Sequence, residues 1–133
     1  MEPLPTELAY LAWSVVLLLV YIAVQGVIWV SETGAVYNAG PRDENRQPRS
    51  VYAGRSARAL TNFLETYAAF VGLALALAIA GKAGGLGALG AALWFWARLA
   101  YLPLYLFGAS YIRTLAFVVS AVGLILMLID LLA

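Results

Sequence analysis

Residues 8–30 read LAYLAWSVVLLLVYIAVQGVIWV, an apolar run interrupted only by Ser14 and Gln25. About 20 apolar residues in a helix cover the roughly 30 Å of a bilayer's hydrocarbon, so this stretch is long enough to cross with some tilt. The residues before it, Met1-Glu2-Pro3-Leu4-Pro5-Thr6-Glu7, are acidic where a secretory leader is basic, and the run is too long for a leader's apolar core. It is expected to stay in place as a membrane helix. The rest of the chain agrees: of 133 residues 64% are hydrophobic and 11% charged, with a mean hydropathy of +0.88, whereas a soluble domain carries about 25% charge. That balance excludes a soluble globular fold and intrinsic disorder alike.

Working outward, residues 31–57 change character. Gly34, Gly40, Pro41, Pro48 and Gly54 break helices, and Glu32, Arg42, Asp43, Glu44, Arg46, Arg49 and Arg55 supply charge, so a polar loop is expected there, with a partly helical end as an alternative. A second span covers about residues 56–80, aliphatic in its later half (FVGLALALAIA). The string GKAGGLGALG then holds five glycines in ten residues and marks a tight connection. Gly81, Gly85 and neighbouring small residues are the candidates there for close helix contact. A third span, about residues 86–106, carries Trp94, Trp96, Arg98, Tyr101, Pro103 and Tyr105. A fourth, about residues 113–132, opens on Arg113, and Asp130 is expected to end it at the membrane interface. The prediction is a single domain over residues 1–133: an all-α integral membrane bundle of four helices.

Basic residues decide the orientation. Arg42, Arg46, Arg49, Arg55, Arg58, Arg98 and Arg113 fall at the end of the long loop, and Lys82 alone at the other, a ratio of seven to one. Both termini are therefore expected on the non-cytoplasmic side and the loop at 31–57 in the cytoplasm. The eight basic residues are balanced by seven acidic ones, which leaves no broad basic field for nucleic acid. Cysteine and histidine are absent, which removes disulfides, protein thiol nucleophiles, imidazole acid-base chemistry and the usual soft metal ligands; no metal is expected.

Polar residues inside spans carry the functional signal, because a centrally placed Arg or Asp costs about 2.5–3.5 kcal/mol on insertion scales. Arg58, Asn62 and Glu65 stand at i, i+4 and i+7, on one helical stripe. Arg98, Tyr101 and Tyr105 at i, i+3 and i+7 form another, and Arg113 enters its helix on the same membrane side. A purely structural account pairs Glu65 with Arg98 across two helices, with Asn62 as a hydrogen-bonding residue between them. The surplus of three arginines over one carboxylate favours an anion-binding site instead, with two phenols as further donors. Arg42, Arg46 and Arg49 are expected to act as topology determinants and anionic-lipid contacts, the alternative being that one of them reaches the site. Trp13, Trp29, Trp94, Trp96 and Tyr111 are expected in packing or at the interfacial belt.

The string Arg58-Ala59-Leu60-Thr61-Asn62-Phe63-Leu64-Glu65 resembles the Arg-x-x-x-Asn-x-x-Glu signature of the membrane-associated proteins in eicosanoid and glutathione metabolism (MAPEG). Ala97-Arg98-Leu99-Ala100-Tyr101-Leu102-Pro103-Leu104-Tyr105 is similar to that family's third-helix motif, and Arg113 to the arginine that opens its fourth helix. The resemblance spans essentially the whole chain. It implies a homotrimer that binds glutathione as co-substrate between neighbouring subunits and acts as a transferase or peroxidase on a lipophilic small molecule arriving from the membrane lipids. Carried over by position, Arg58, Asn62, Glu65, Arg98, Tyr101 and Tyr105 would bind glutathione, and Arg113 would be catalytic by stabilising the thiolate. One departure stands out. Eicosanoid-type members often have Tyr directly after the Glu, whereas this chain has Thr66, with Tyr67 one step further round the helix. The short form resembles bacterial members, which points to a bacterial inner membrane, with an endoplasmic-reticulum-type membrane as the alternative. Two other readings remain at this stage: a catalytically silent relative whose Arg and Glu network only holds the trimer, and a small multidrug-type transporter, which the cationic lining disfavours.

Overall fold

The computed structural model describes residues 2–133 and consists of α1 (Thr6–Thr33), α2 (Ala35–Ala39), α3 (Val51–Ile79), α4 (Gly85–Leu106) and α5 (Ser110–Leu132). All except α2 are long and apolar enough to cross a membrane. They run up and down, so one end of the bundle carries the long 34–50 connection (the loop end) and the other carries both termini. Helices α3 and α4 pack on each other and share α1 on one side and α5 on the other, and α4 meets α5 most extensively.

The elements exceed the expected loop boundaries. Helix α1 continues to Thr33 and stops at Gly34, whose φ of 100° is cheap only for glycine. A single turn and a half, α2, follows inside the stretch expected to be loop. Helix α3 begins at Val51 rather than near residue 56, because Ser50 caps it: its Oγ accepts from the Ala53 amide at 3.3 Å. Ser50 is itself fixed by the last turn of α1, where Glu32 accepts from its amide (2.7 Å) and its hydroxyl (2.8 Å).

The core is aromatic. Trp94 on α4 is fully buried and stacks on Phe70 of α3, with ring centroids 3.9 Å apart and planes at 8°. Tyr21, Phe63 and Tyr67 extend this cluster. Two hydroxyls fasten α1 to it: Tyr21 donates to the Arg98 carbonyl at 2.6 Å, and Ser14 lies 2.9 Å from the Tyr67 hydroxyl. Trp13, Trp96 and Tyr111 are exposed on the outer surface of the bundle.

Two expectations are corrected at the terminal end and in the helix contacts. Asp130 does not simply close α5; its Oδ2 accepts from the Gly87 amide at 2.7 Å, and the buried Glu7 of α1 accepts from the Gly84 amide at 2.7 Å. The first turn of α4 has no side-chain cap of its own, so carboxylates from two other helices satisfy its free amides and complement its dipole. Close helix approach is found at Gly90 and Gly123, not at Gly81 and Gly85. A Cβ on Gly90 would collide with the Gly123 carbonyl, whereas one on Gly81 or Gly85 meets nothing within 4 Å.

Candidate functional site

At the loop end, α3, α4 and the start of α5 bring three of the singled-out residues around one ring. The Arg58 Nε–H donates to the Tyr105 hydroxyl oxygen at 3.0 Å, and its guanidinium carbon lies 5.8 Å from the ring centroid. Arg113, one turn into α5, places its guanidinium carbon 4.4 Å from the same centroid. Tyr105 thus sits between two cations. Because its oxygen is the acceptor toward Arg58, its O–H remains free to donate elsewhere. Cation–π attraction, about 0.5–1 kcal/mol at exposed sites and more when desolvated, holds both guanidinium groups at the phenol without neutralising either.

A second layer lies behind. Tyr101 is buried and meets Tyr105 edge to face at 5.6 Å. Arg98 is 1% exposed, so it supports the site from inside rather than lining it. Its Nη1 donates to Asn62 Oδ1 at 2.5 Å and its Nη2 to Thr66 Oγ1 at 3.0 Å, while its Nε has no partner among the described residues. The rings of Tyr101 and Phe117 lie 5.2 and 5.5 Å from its guanidinium carbon. A buried cation with no carboxylate partner is costly unless polar groups and π faces surround it, and here neutral oxygens and two rings do so.

The Glu65–Arg98 ion pair of the purely structural account is therefore not formed. Among the described residues the single ion pair is Arg46–Glu44, at 2.7 Å on the loop. Glu65 instead faces outward from α3 and is exposed. The reason is local: Asn62 and Thr66 are one turn apart on α3, and both point at α4, so they take the guanidinium while Glu65 lies further round the helix. Thr66 is the residue whose role a sequence stripe would have found, at i+4 from Asn62. Tyr67 turns toward α1 and Ser14, away from this layer.

The loop arginines do not join the site within the subunit. Arg55 donates to the Leu106 carbonyl at 3.0 Å and closes the C-terminal end of α4. Arg46 bonds Glu44 and the Thr33 carbonyl and stacks over Tyr37. Its hydrogen bond and charge hold the Glu44 carboxyl below the usual glutamate range. The site as built, with Arg58 and Arg113 at Tyr105 and Arg98 behind, is an electropositive surface with phenolic donors, able to bind an anion and to favour the ionised form of a weak acid such as a thiol.

The model of the MAPEG family matches residues 10–133, nearly the whole chain. No curated protein and no solved structure matches it.

Proposed function

The chain belongs to the MAPEG family, and from that premise we propose that it is an integral multi-pass membrane enzyme that uses glutathione as co-substrate, a transferase or peroxidase for lipophilic electrophiles or hydroperoxides. The observation that carries this reading is the Tyr105 ring held between Arg58 and Arg113 with no carboxylate paired to either. Glutathione brings carboxylates and a thiol. Arg58, Asn62 and Glu65 engage the polar ends of the tripeptide, Tyr105 donates near the cysteine, and Arg113 stabilises the thiolate. The thiolate then forms a C–S bond to an electrophilic carbon as the leaving group departs with its electron pair. With a hydroperoxide it attacks the O–O bond, releasing an alcohol and leaving a sulfenic acid that a second glutathione reduces.

The same reading makes the working unit a homotrimer. Glu65 is exposed on a membrane-crossing helix, and Ala68 and Gly72 continue its face at i+3 and i+7. Gly72 has open space where a side chain would stand, so internal packing does not explain its size. A neighbouring copy on this face would remove Glu65 from lipid and bring backbones close. The seven-to-one distribution of basic residues supports a loop end in the cytoplasm and termini outside, and the resemblance to short bacterial members supports a bacterial inner membrane over an endoplasmic-reticulum-type one.

Calorimetric titration of the detergent-solubilised protein with glutathione tests the reading. Saturable binding is expected, with turnover of a model electrophile that falls in Arg113→Ala. No binding at millimolar glutathione, with wild type and Arg113→Ala alike in every assay, would return the arginine network to a structural role.

A further inference from the structure

The chain after α1 folds back over that helix and forms with it a half-open cavity of about 410 Å³ that shares no residue with the site around Tyr105. Its lining includes Gln25, Trp29, Tyr37, Arg42, Arg46 and Gln47 and contains no carboxylate. Arg42 donates only its Nε, to the Asn38 carbonyl at 2.9 Å, so both terminal nitrogens are unengaged among the described residues. Tyr37 gives the rim its shape: its hydroxyl accepts from the Arg46 amide (2.6 Å) and donates to the Arg42 carbonyl (3.1 Å). Arg46 is held by Glu44 through its Nε and by the Thr33 carbonyl through its Nη1, which leaves its Nη2 facing the cavity, so among the described residues it is Arg42 that supplies the rim's unpaired charge.

Depth is the second feature. Gln25 and Gly26 lie on the membrane-crossing helix α1, Trp29 follows one turn later, and the arginines stand beyond the helix end. Among the described residues the Gln25 amide has no hydrogen-bond partner, and nothing lies within 4 Å of where a Gly26 side chain would be. On the loop side the cavity presents guanidinium groups, the Tyr37 ring and the amides of Asn38, Asn45 and Gln47, and on the helix side Trp29, Val30, the Gln25 amide and open space beside Gly26. That order matches the layers of a bilayer leaflet at the headgroup boundary.

We propose that this cavity binds an anionic phospholipid, with Arg42 and Arg46 on the phosphate, Gln25 at the glycerol level and an acyl chain in the slot beside Gly26. The chemistry recognised is an organic phosphate, and the lipid is distinguished from a free phosphate by the attached chain.

Trp29 serves as the reporter. The full-length protein is placed in phosphatidylcholine vesicles containing increasing fractions of dibrominated phosphatidylglycerol or dibrominated phosphatidylcholine, and Trp29 quenching is taken as the difference from Trp29→Phe. Half-quenching is expected at about a fivefold lower fraction of the anionic lipid, the selectivity of one arginine near a membrane surface, or more if both arginines act. Arg42→Gln should lose most of this preference and Arg42→Gln/Arg46→Gln all of it, whereas Arg49→Gln, exposed and outside the cavity, should keep it. Since Arg42 is exposed with one bond to a backbone carbonyl, Arg42→Gln should fold even where the double variant does not. Glutathione turnover should be unchanged in Arg42→Gln. Equal quenching by the two lipids, or a preference that survives Arg42→Gln, would overturn the proposal. Relief of quenching by glycerol phosphate would assign the cavity to a soluble phosphate, and relief by glutathione would assign it to the thiol substrate; either result also overturns it.

Discussion

Thr66→Val isolates the buried layer behind the site. The two side chains have the same shape, so the substitution removes one acceptor and little else. Arg98 is 1% exposed and carries five N–H donors; Nη1 bonds Asn62, Nη2 bonds Thr66 and Nε is already unpartnered. Losing Thr66 Oγ1 leaves a second nitrogen of a buried cation without an acceptor, at a cost of about 1.5–3 kcal/mol for a hydrogen bond to a charged group. For a chain of this size that corresponds to roughly 5–10 °C in apparent Tm. Thr66→Ser retains the oxygen and should stay near wild type. Arg98→Met in the Thr66→Val background should recover part of the loss, because it removes the buried cation together with the Thr66 acceptor and leaves only the half-buried Asn62 amide oxygen without its donor. Thermal unfolding of the four proteins in one detergent reads this directly. If Thr66→Val and Thr66→Ser melt within about 1 °C of each other, or if adding Arg98→Met lowers the Tm further, Thr66 does not hold the guanidinium and the reasoning fails.

Other perturbations follow from the same geometry. Arg113→Ala should lower turnover by at least about tenfold with glutathione affinity nearly kept, whereas Arg58→Ala and Glu65→Ala should chiefly weaken binding; equal loss of affinity in all three contradicts this division of roles. Gly90→Ala drives a methyl group into the Gly123 carbonyl and to 2.8 Å from Met127 Cγ, so it should destabilise by about 1–3 kcal/mol, while Gly85→Ala should show no comparable clash, only the strain of its φ of 58°. Paired melting curves separate them. Asp130→Leu uncaps the first turn of α4 and should cost about 1 kcal/mol, seen as faster amide exchange at residues 84–88.

The long apolar runs made the four membrane-crossing helices legible, since nothing except a helix satisfies so many backbone groups in lipid. Helical spacing also put Arg58, Tyr105 and Arg113 at the same end of the bundle. Spacing assigns a residue to a face but not to a partner, which is why Glu65 and Arg98 looked paired. The choice was made by Asn62 and Thr66, two neutral acceptors that a count of charges passes over. The caps on α4 were hidden for a different reason. Glu7 and Asp130 stand 77 and 43 residues from the amides they accept from, and no local pattern announces such a contact. Likewise the glycine-rich string serves a turn at Gly81 and Gly85, while its last member, Gly90, permits close packing because Gly123 faces it from α5, a pairing that no local pattern announces.

The central claim is that Arg113 and its surroundings ionise a bound thiol, and the ultraviolet difference band of the glutathione thiolate tests it most directly. A free thiol titrates near pH 8.5, so little thiolate is present at neutral pH without help. At saturating glutathione and neutral pH the wild-type protein is predicted to show a thiolate band that scales with occupied sites and disappears when the apparent pKa is passed from above. Arg113→Leu should bind glutathione yet lose most of that band. Wild-type protein that binds glutathione with no thiolate band, or an undiminished band in Arg113→Leu, would contradict the account.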